Sequence, residues 1–173
     1  MILDIKKKYP NVKIIIRPHP LMFDNFIKKG LLSAAERDAY RKRALEAGIA
    51  FDTNANILDT LKETKILISD YSSIILDFFI ANIPIIYCNS SNIELNDIYN
   101  EILETEYIVN SSDELDDVLF SLMNNDDYKS NERRKVIDKI ATIYSNSSKK
   151  IIEELIDDFL GKPLHNCRFQ EER

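Results

Sequence analysis

The chain has 173 residues, 45% hydrophobic and 30% charged, with a formal net charge of -6, three glycines, two cysteines and no tryptophan. That length buries one sizeable core, and the acidic balance argues against a general nucleic-acid binder, whose footprint is a basic face. No apolar run approaches the ~20 residues that span a bilayer, and Cys88 and Cys167 lack metal or redox spacing, which suits a reducing compartment.

Taken in order, residues 1–9 read as the end of a helix, with Pro10-Asn11 as the turn. Residues 12–16 (Val-Lys-Ile-Ile-Ile) read as a strand. Arg17-Pro18-His19-Pro20 follows, and the two proline rings fix its backbone and exclude helix. Residues 33–47 are helical: Ser33 precedes Glu36 at capping-box spacing, and Gly48 supplies the stop. Ile49-Ala50-Phe51 is a short strand. Residues 56–63 form a short helix with Ile57, Leu58 and Leu61 on its buried side.

Residues 65–68 are the next strand, and 72–81 a helix with Ile75, Leu76, Phe78 and Phe79 packed inward. Pro84 opens a strand through Tyr87, a position where proline is tolerated. Residues 107–109 give a further strand. Residues 112–123 give a helix whose acidic first turn, Asp113 and Glu114, suits the positive end of the dipole. From 127 to 160 the pattern is helical, through Val136, Ile137, Ile140 and Ile143, then Ile151, Ile152, Leu155 and Ile156. After Gly161 the chain is polar. Strands alternating with helices, with apolar runs lacking polar alternation, predict a doubly wound, mainly parallel α/β fold. The expected division is a Rossmann-like domain over 1–126, a helical extension packing on it over 127–160, and a polar tail over 161–173.

Two stretches stand at the carboxyl ends of predicted strands, where open α/β sheets place their ligands. One is Arg17-Pro18-His19-Pro20. The other is Ser69-Asp70-Tyr71-Ser72-Ser73, which leads straight into a helix. Free N–H groups at a helix start attract anions, and Ser69, Ser72 or Ser73 would add a hydroxyl to a phosphate oxygen. The plainer reading is that Asp70 or Ser72 caps the helix, and the two roles are compatible. Arg17 reads as a bidentate clamp for phosphate or carboxylate, or as a surface salt bridge of little worth. His19 would steady negative charge on a departing nucleotide, or merely bond backbone at a turn. Asp77, one turn into the helix, would order Ser73 or accept a sugar hydroxyl, or lie solvated on the helix face. Asp116, Asp117, Asp126 and Asp127 read as a solvated face rather than a metal site, and His165 as incidental. With only three glycines, Gly-x-Gly-x-x-Gly and P-loop fingerprints are absent. A phospho-receiver would need an acidic pair after the first strand, where Arg17-Pro18-His19-Pro20 stands instead.

The two stretches, about 50 residues apart, together resemble the CDP-glycerol glycerophosphotransferase family of teichoic-acid and capsule polymerases. Asp59-Thr60-Leu61 through Ile68 fits the lead-in to that family's Asp-Tyr-Ser-Ser run, and Asp77-Phe78 followed by Pro84-Ile85-Ile86-Tyr87 fits as well. The resemblance spans residues 5–88 and, more loosely, the helical tail. It implies a GT-B architecture of which this chain is the C-terminal, donor-binding half. It also implies that His19 lies near the donor diphosphate and aids loss of CMP, and that Ser72 and Ser73 hold the phosphates. The family's second catalytic histidine, the base on the acceptor hydroxyl, belongs to an N-terminal domain, for which too few residues precede Arg17. The expected activity is polyol-phosphate transfer from CDP-glycerol, or a related nucleotide-activated donor, to a cell-wall or capsule polymer. No metal or cofactor is expected, and the polymer acceptor would be reached through that N-terminal domain. The alternatives are the C-terminal domain of a nucleotide-sugar glycosyltransferase and a non-catalytic nucleotide-binding or regulatory module. The N-terminus lacks the order of a signal peptide, so the expected location is cytoplasmic, at most peripheral to the inner face of the membrane.

Overall fold

Five strands and eight helices alternate along residues 2–89 and 95–144, the part of the chain that the computed structural model describes. Helix α1 (Ile2–Lys8) leads to β1 (Ile15–Ile16), then to α2 (Met22–Lys28), α3 (Ala34–Glu46) and β2 (Ala50–Phe51). Helix α4 (Leu58–Glu63) precedes β3 (Leu67–Ser69), and α5 (Ile74–Ile80) precedes β4 (Ile85–Cys88). Helix α6 (Asp97–Glu104), β5 (Tyr107–Val109), α7 (Ser112–Met123) and α8 (Ser130–Tyr144) complete the order. The part of the expected 127–160 helical stretch beyond residue 144, the polar tail, His165 and Cys167 lie outside the described residues.

Every strand pair is parallel, so the architecture is mixed α/β with helical crossovers. The ladders form two sheets: β1 with β2, and β3-β4-β5 with β4 central. Strand β4, the central strand of the larger sheet, is buried on both sides. Its Ile85 and Tyr87 enter a cluster with Ile75, Phe78 and Phe79 of α5, Ile102 and Leu103 of α6, and Ile137 of α8. Its Ile86 points the other way, into a cluster with Ile5 of α1, Tyr107 and Val109 of β5, and Leu115, Leu119 and Leu122 of α7. Alternate side chains of one strand therefore serve two cores, as the period of two requires. Ile14, beside β1, and Ile66, beside β3, pack on the same second cluster, which brings the two sheets to one apolar mass.

Local signals account for several boundaries. Ser33 accepts from the Glu36 N–H while Glu36 returns to the Ser33 N–H, closing the expected capping box of α3. Gly48, at φ 75°, takes the left-handed turn that ends it. Ser111 caps α7 and Asn96 caps α6. Three expectations fail on packing. Leu58 and Leu76, expected inward, are exposed, and so is Ile68 of β3, because only β4 is covered on both faces. Two helices are not anticipated from the sequence: α2, which has no buried residue, and the eight-residue α6, although its Ile102 and Leu103 are buried and Asn96 caps it.

A buried polar knot ties α8 to the sheet. Arg133 and Glu106 are both fully buried. Arg133 Nη1 donates to Glu106 Oε2 at 3.1 Å, its Nη2 to Asp127 Oδ2, and its Nε to Asn82 Oδ1 at 3.0 Å. The Ile85 N–H also donates to Glu106 Oε2 at 2.9 Å, and the Tyr107 hydroxyl donates to Asp127 Oδ1 at 2.8 Å. Asp127 is thus no solvated acid, as its acidic neighbourhood suggested, but a partner of a buried cation. Burial pushes the Glu106 carboxyl up to about 7, against the pull of Arg133 and the Ile85 N–H. Among the described residues no helix is long and apolar enough to cross a membrane.

Candidate functional site

The 17–20 loop begins where β1 ends. Arg17 does not stand free: its Nη1 donates to Asp52 Oδ2 at 2.5 Å and its Nη2 to the Asn54 carbonyl at 2.6 Å. Asp52 follows β2 directly, so the parallel pairing of β1 with β2 delivers both residues to the same end of that sheet. The Asp52 carboxylate also accepts from the Thr60 hydroxyl of α4 and, at Oδ1, from the Asn54 N–H at 2.9 Å. These donors hold its carboxyl below the usual range, with Thr60 first, then Asn54 and Arg17. The ion pair has Arg17 only partly exposed and Asp52 at 8%. It is therefore not the weak surface bridge that was the plainer expectation. Motif reading passed over Asp52, whose one sequence signal is its place just after a strand.

His19 is exposed and closes the turn into α2. The Leu21 N–H donates to its Nδ1 at 3.2 Å, and the Met22 N–H to its carbonyl at 2.9 Å. With Nδ1 used as the acceptor, Nε2 is the ring nitrogen left to donate. That leaves an exposed donor at the carboxyl end of β1. The backbone-turn reading and the ligand reading of this histidine thus use different nitrogens.

The second stretch turns off the end of β3. Ser69 spends its hydroxyl on the Asp70 carbonyl at 2.9 Å. Ser73 holds the N-cap position of α5 but has helical angles (φ -59°, ψ -22°) and makes no side-chain capping bond. Neither Asp70 nor Ser72 supplies the expected cap. Among the described residues the Ser72 and Ser73 hydroxyls have no hydrogen-bond partner. Asp70 lies close enough to β4 to help burial raise the Tyr87 hydroxyl and the Cys88 thiol. The Tyr71 ring leans on Tyr99 of α6, with centroids 5.7 Å apart, and Asp77 acts on the same Tyr99 hydroxyl. Asp77 is exposed in the first turn of α5 and faces α6 rather than the core.

The structure therefore builds two groups. Arg17, Asp52, Asn54 and Thr60 form one, at the ends of β1 and β2, with His19 on the adjoining turn. Ser69, Asp70, Tyr71, Ser72, Ser73 and Asp77 form the other, at the ends of β3 and β4. Helix α4 joins the first group through Thr60, which bonds Asp52, and its Leu61 packs on the core cluster that holds Ile75 and Phe78 of α5. An open cavity of about 340 Å³ lies under α6, lined by Tyr87, Asn89, Leu95, Asn100, Leu103 and Ile108 among others. Neither motif contributes to its described lining, so its size alone does not mark it as the site. Among the described residues, no group of three or more His, Cys, Asp or Glu side chains is placed to hold a metal ion.

The family model described as "CDP-Glycerol:Poly(glycerophosphate) glycerophosphotransferase" matches residues 3–157. No curated protein and no solved structure matches the chain. The match covers the 17–20 loop, the 69–73 turn and all of α8, well beyond the two motifs that first suggested it. The chain belongs to the CDP-glycerol:poly(glycerophosphate) glycerophosphotransferase family.

Proposed function

We propose that this chain binds CDP-glycerol, or a closely related nucleotide-activated polyol phosphate, and takes part in transfer of the glycerophosphate to a poly(glycerophosphate) acceptor. The observation that carries this reading is the family match over residues 3–157. It is supported by two sets of phosphate-suited donors, each at the carboxyl end of a parallel strand: Arg17 and His19 after β1, and Ser72 and Ser73 after β3. In this reading the chain is the donor-binding half of a GT-B enzyme, with the strand ends of both parallel ladders facing the nucleotide. Arg17, Ser69, Asp70, Ser72, Ser73 and Asp77 would contact the diphosphate or the sugar.

The reaction makes one bond and breaks one. An acceptor hydroxyl oxygen attacks the β-phosphorus of the donor, the bond from that phosphorus to the bridging oxygen breaks, and CMP departs with the electron pair. His19 is assigned to the leaving side, where its Nε2–H meets the bridging or α-phosphate oxygen as negative charge collects there. The serine hydroxyls orient the diphosphate, so that positioning supplies much of the rate. The proton of the acceptor hydroxyl passes to a base outside the residues assigned here. Titration calorimetry with CDP-glycerol, CDP-ribitol, a UDP-sugar and CMP tests the reading. CDP-glycerol should bind most tightly and CMP measurably. Equal affinity for the UDP-sugar would remove the cytidine assignment, and no heat with any of the four would remove the donor site.

A further inference from the structure

Asp52 carries more hydrogen bonds than a residue needed only for packing would require. It is 8% exposed and sits just past β2. The Thr60 hydroxyl, the Asn54 N–H and the Arg17 guanidinium converge on its two oxygens. Where stability alone is at stake, a buried ion pair is commonly replaced by apolar side chains at no loss, because desolvation offsets the attraction. Here the pair sits at the mouth of a parallel sheet, on the residue that opens the loop carrying His19. Arg17 is held at two points, by Asp52 and by the Asn54 carbonyl, which fixes the plane of its fork. A guanidinium has five donors in rigid array, so fixing two of them fixes the directions of the others.

We propose that Asp52 is a positioning residue of the donor site, locking the Arg17 guanidinium so that its remaining N–H groups meet the donor's diphosphate. This rests on the reading that the 17–20 loop holds the donor. Asp52 itself touches no ligand. Thr60 anchors the carboxylate to α4, and the Asn54 N–H and carbonyl bind the two partners of the pair at once. The carboxylate also offsets the charge of Arg17, which then acts as a directed donor rather than as a source of field.

A double-mutant cycle separates positioning from general support of the fold. Affinity for CDP-glycerol is measured by calorimetry in the wild-type chain, Asp52→Asn, Arg17→Ala and the double variant, each first shown to unfold cooperatively. Asp52→Asn should weaken binding about tenfold, the worth of a charge-assisted hydrogen bond. It should have no further effect once Arg17 is alanine. Penalties that simply add would overturn the proposal. Should Asp52→Asn fail to fold, Thr60→Val removes one bond to the carboxylate and should weaken binding two- to threefold, again only while Arg17 is present. The lock is also read without ligand, from hydrogen exchange of the Arg17 Nη1 and Nη2 hydrogens by NMR, since those nitrogens make the bonds to Asp52 and Asn54. Exchange at least tenfold faster in Asp52→Asn supports the lock, and unchanged exchange overturns it. If the wild-type chain bound no CDP-glycerol, the donor reading would fall, while the exchange measurement would still decide whether Asp52 orders Arg17.

Discussion

Replacing His19 by asparagine separates the two jobs of its ring. The side chain is exposed, and its one described bond is the acceptance of the Leu21 N–H at Nδ1, at the long distance of 3.2 Å. Asparagine places its Oδ1 close to where Nδ1 stands, so it keeps that bond and loses only Nε2. An exposed hydrogen bond contributes about 0.5–1.5 kcal/mol, and most of that is retained. The expected stability change is therefore under about 0.5 kcal/mol, or roughly 1–2 °C in Tm for a chain of this size. Loss of a proton donor at the leaving group costs about 10²–10⁴ in rate, equivalent to ~3–5 kcal/mol of transition-state stabilisation. Single-turnover release of CMP from CDP-glycerol, with a poly(glycerophosphate) acceptor, reads the rate, and a urea melt of the same preparation reads the fold. Turnover within about threefold of wild type would remove His19 from the mechanism. A rate loss matched by a comparable loss of stability would reduce it to the turn-closing role.

Ser73→Ala should cost under about 0.5 kcal/mol in chemical denaturation, because Ser73 makes no capping bond, whereas Ser111→Ala should cost about 1 kcal/mol. The combined Ser72→Ala and Ser73→Ala change should nonetheless weaken CDP-glycerol binding, and a melt that moves while affinity does not would leave only a structural role. Arg133→Met strands the buried Glu106 carboxylate and should cost about 3–5 kcal/mol, against which a loss below about 1 kcal/mol would show the knot to be dispensable. Asp52, held below the ordinary range in the fold, contributes stability above the unfolded value near ~3.9 that is lost as pH falls through the folded one. Asp52→Asn should therefore flatten the acid limb of stability against pH. Glu106, pushed up to about 7, runs the other way, so Glu106→Gln should compare better with wild type at pH 8 than at pH 5.

What the sequence disclosed follows from how local each signal is. The box at Ser33 and Glu36, the stop at Gly48 and the acidic start of α7 are set within one turn of chain, and all stand where expected. All five strands stand near their expected places, four within two residues and β1 starting three residues later than expected, though those flanking β4 are more exposed than unbroken apolar runs imply. Helix α2 has no buried face to write a period into its sequence. Long-range charge pairing was invisible. Nothing near Glu106 announces Arg133 as its partner, 27 residues away, and nothing near Arg17 announces Asp52, 35 residues away. The motifs named residues suited to a diphosphate, while the pairings that orient those residues arise only where separate strands end together.

Those pairings make a claim about how an acidic protein would hold an anion. The chain carries a net charge of -6, and Arg17 is offset by Asp52. The donor would then be met by oriented N–H and O–H groups rather than by surplus positive charge. Screening acts on net charges separated through solvent, with a Debye length falling from about 10 Å at 0.1 M salt to about 3 Å at 1 M. It acts little on short hydrogen bonds inside a cleft. Affinity for CDP-glycerol should therefore fall by less than about threefold between 0.1 and 0.5 M sodium chloride. In the Asp52→Asn variant, which leaves the Arg17 charge unbalanced, the fall should be steeper. A wild-type loss of tenfold or more across that range would mean that field, not direction, holds the diphosphate, and the pairing of Arg17 with Asp52 would then have to open when the donor binds.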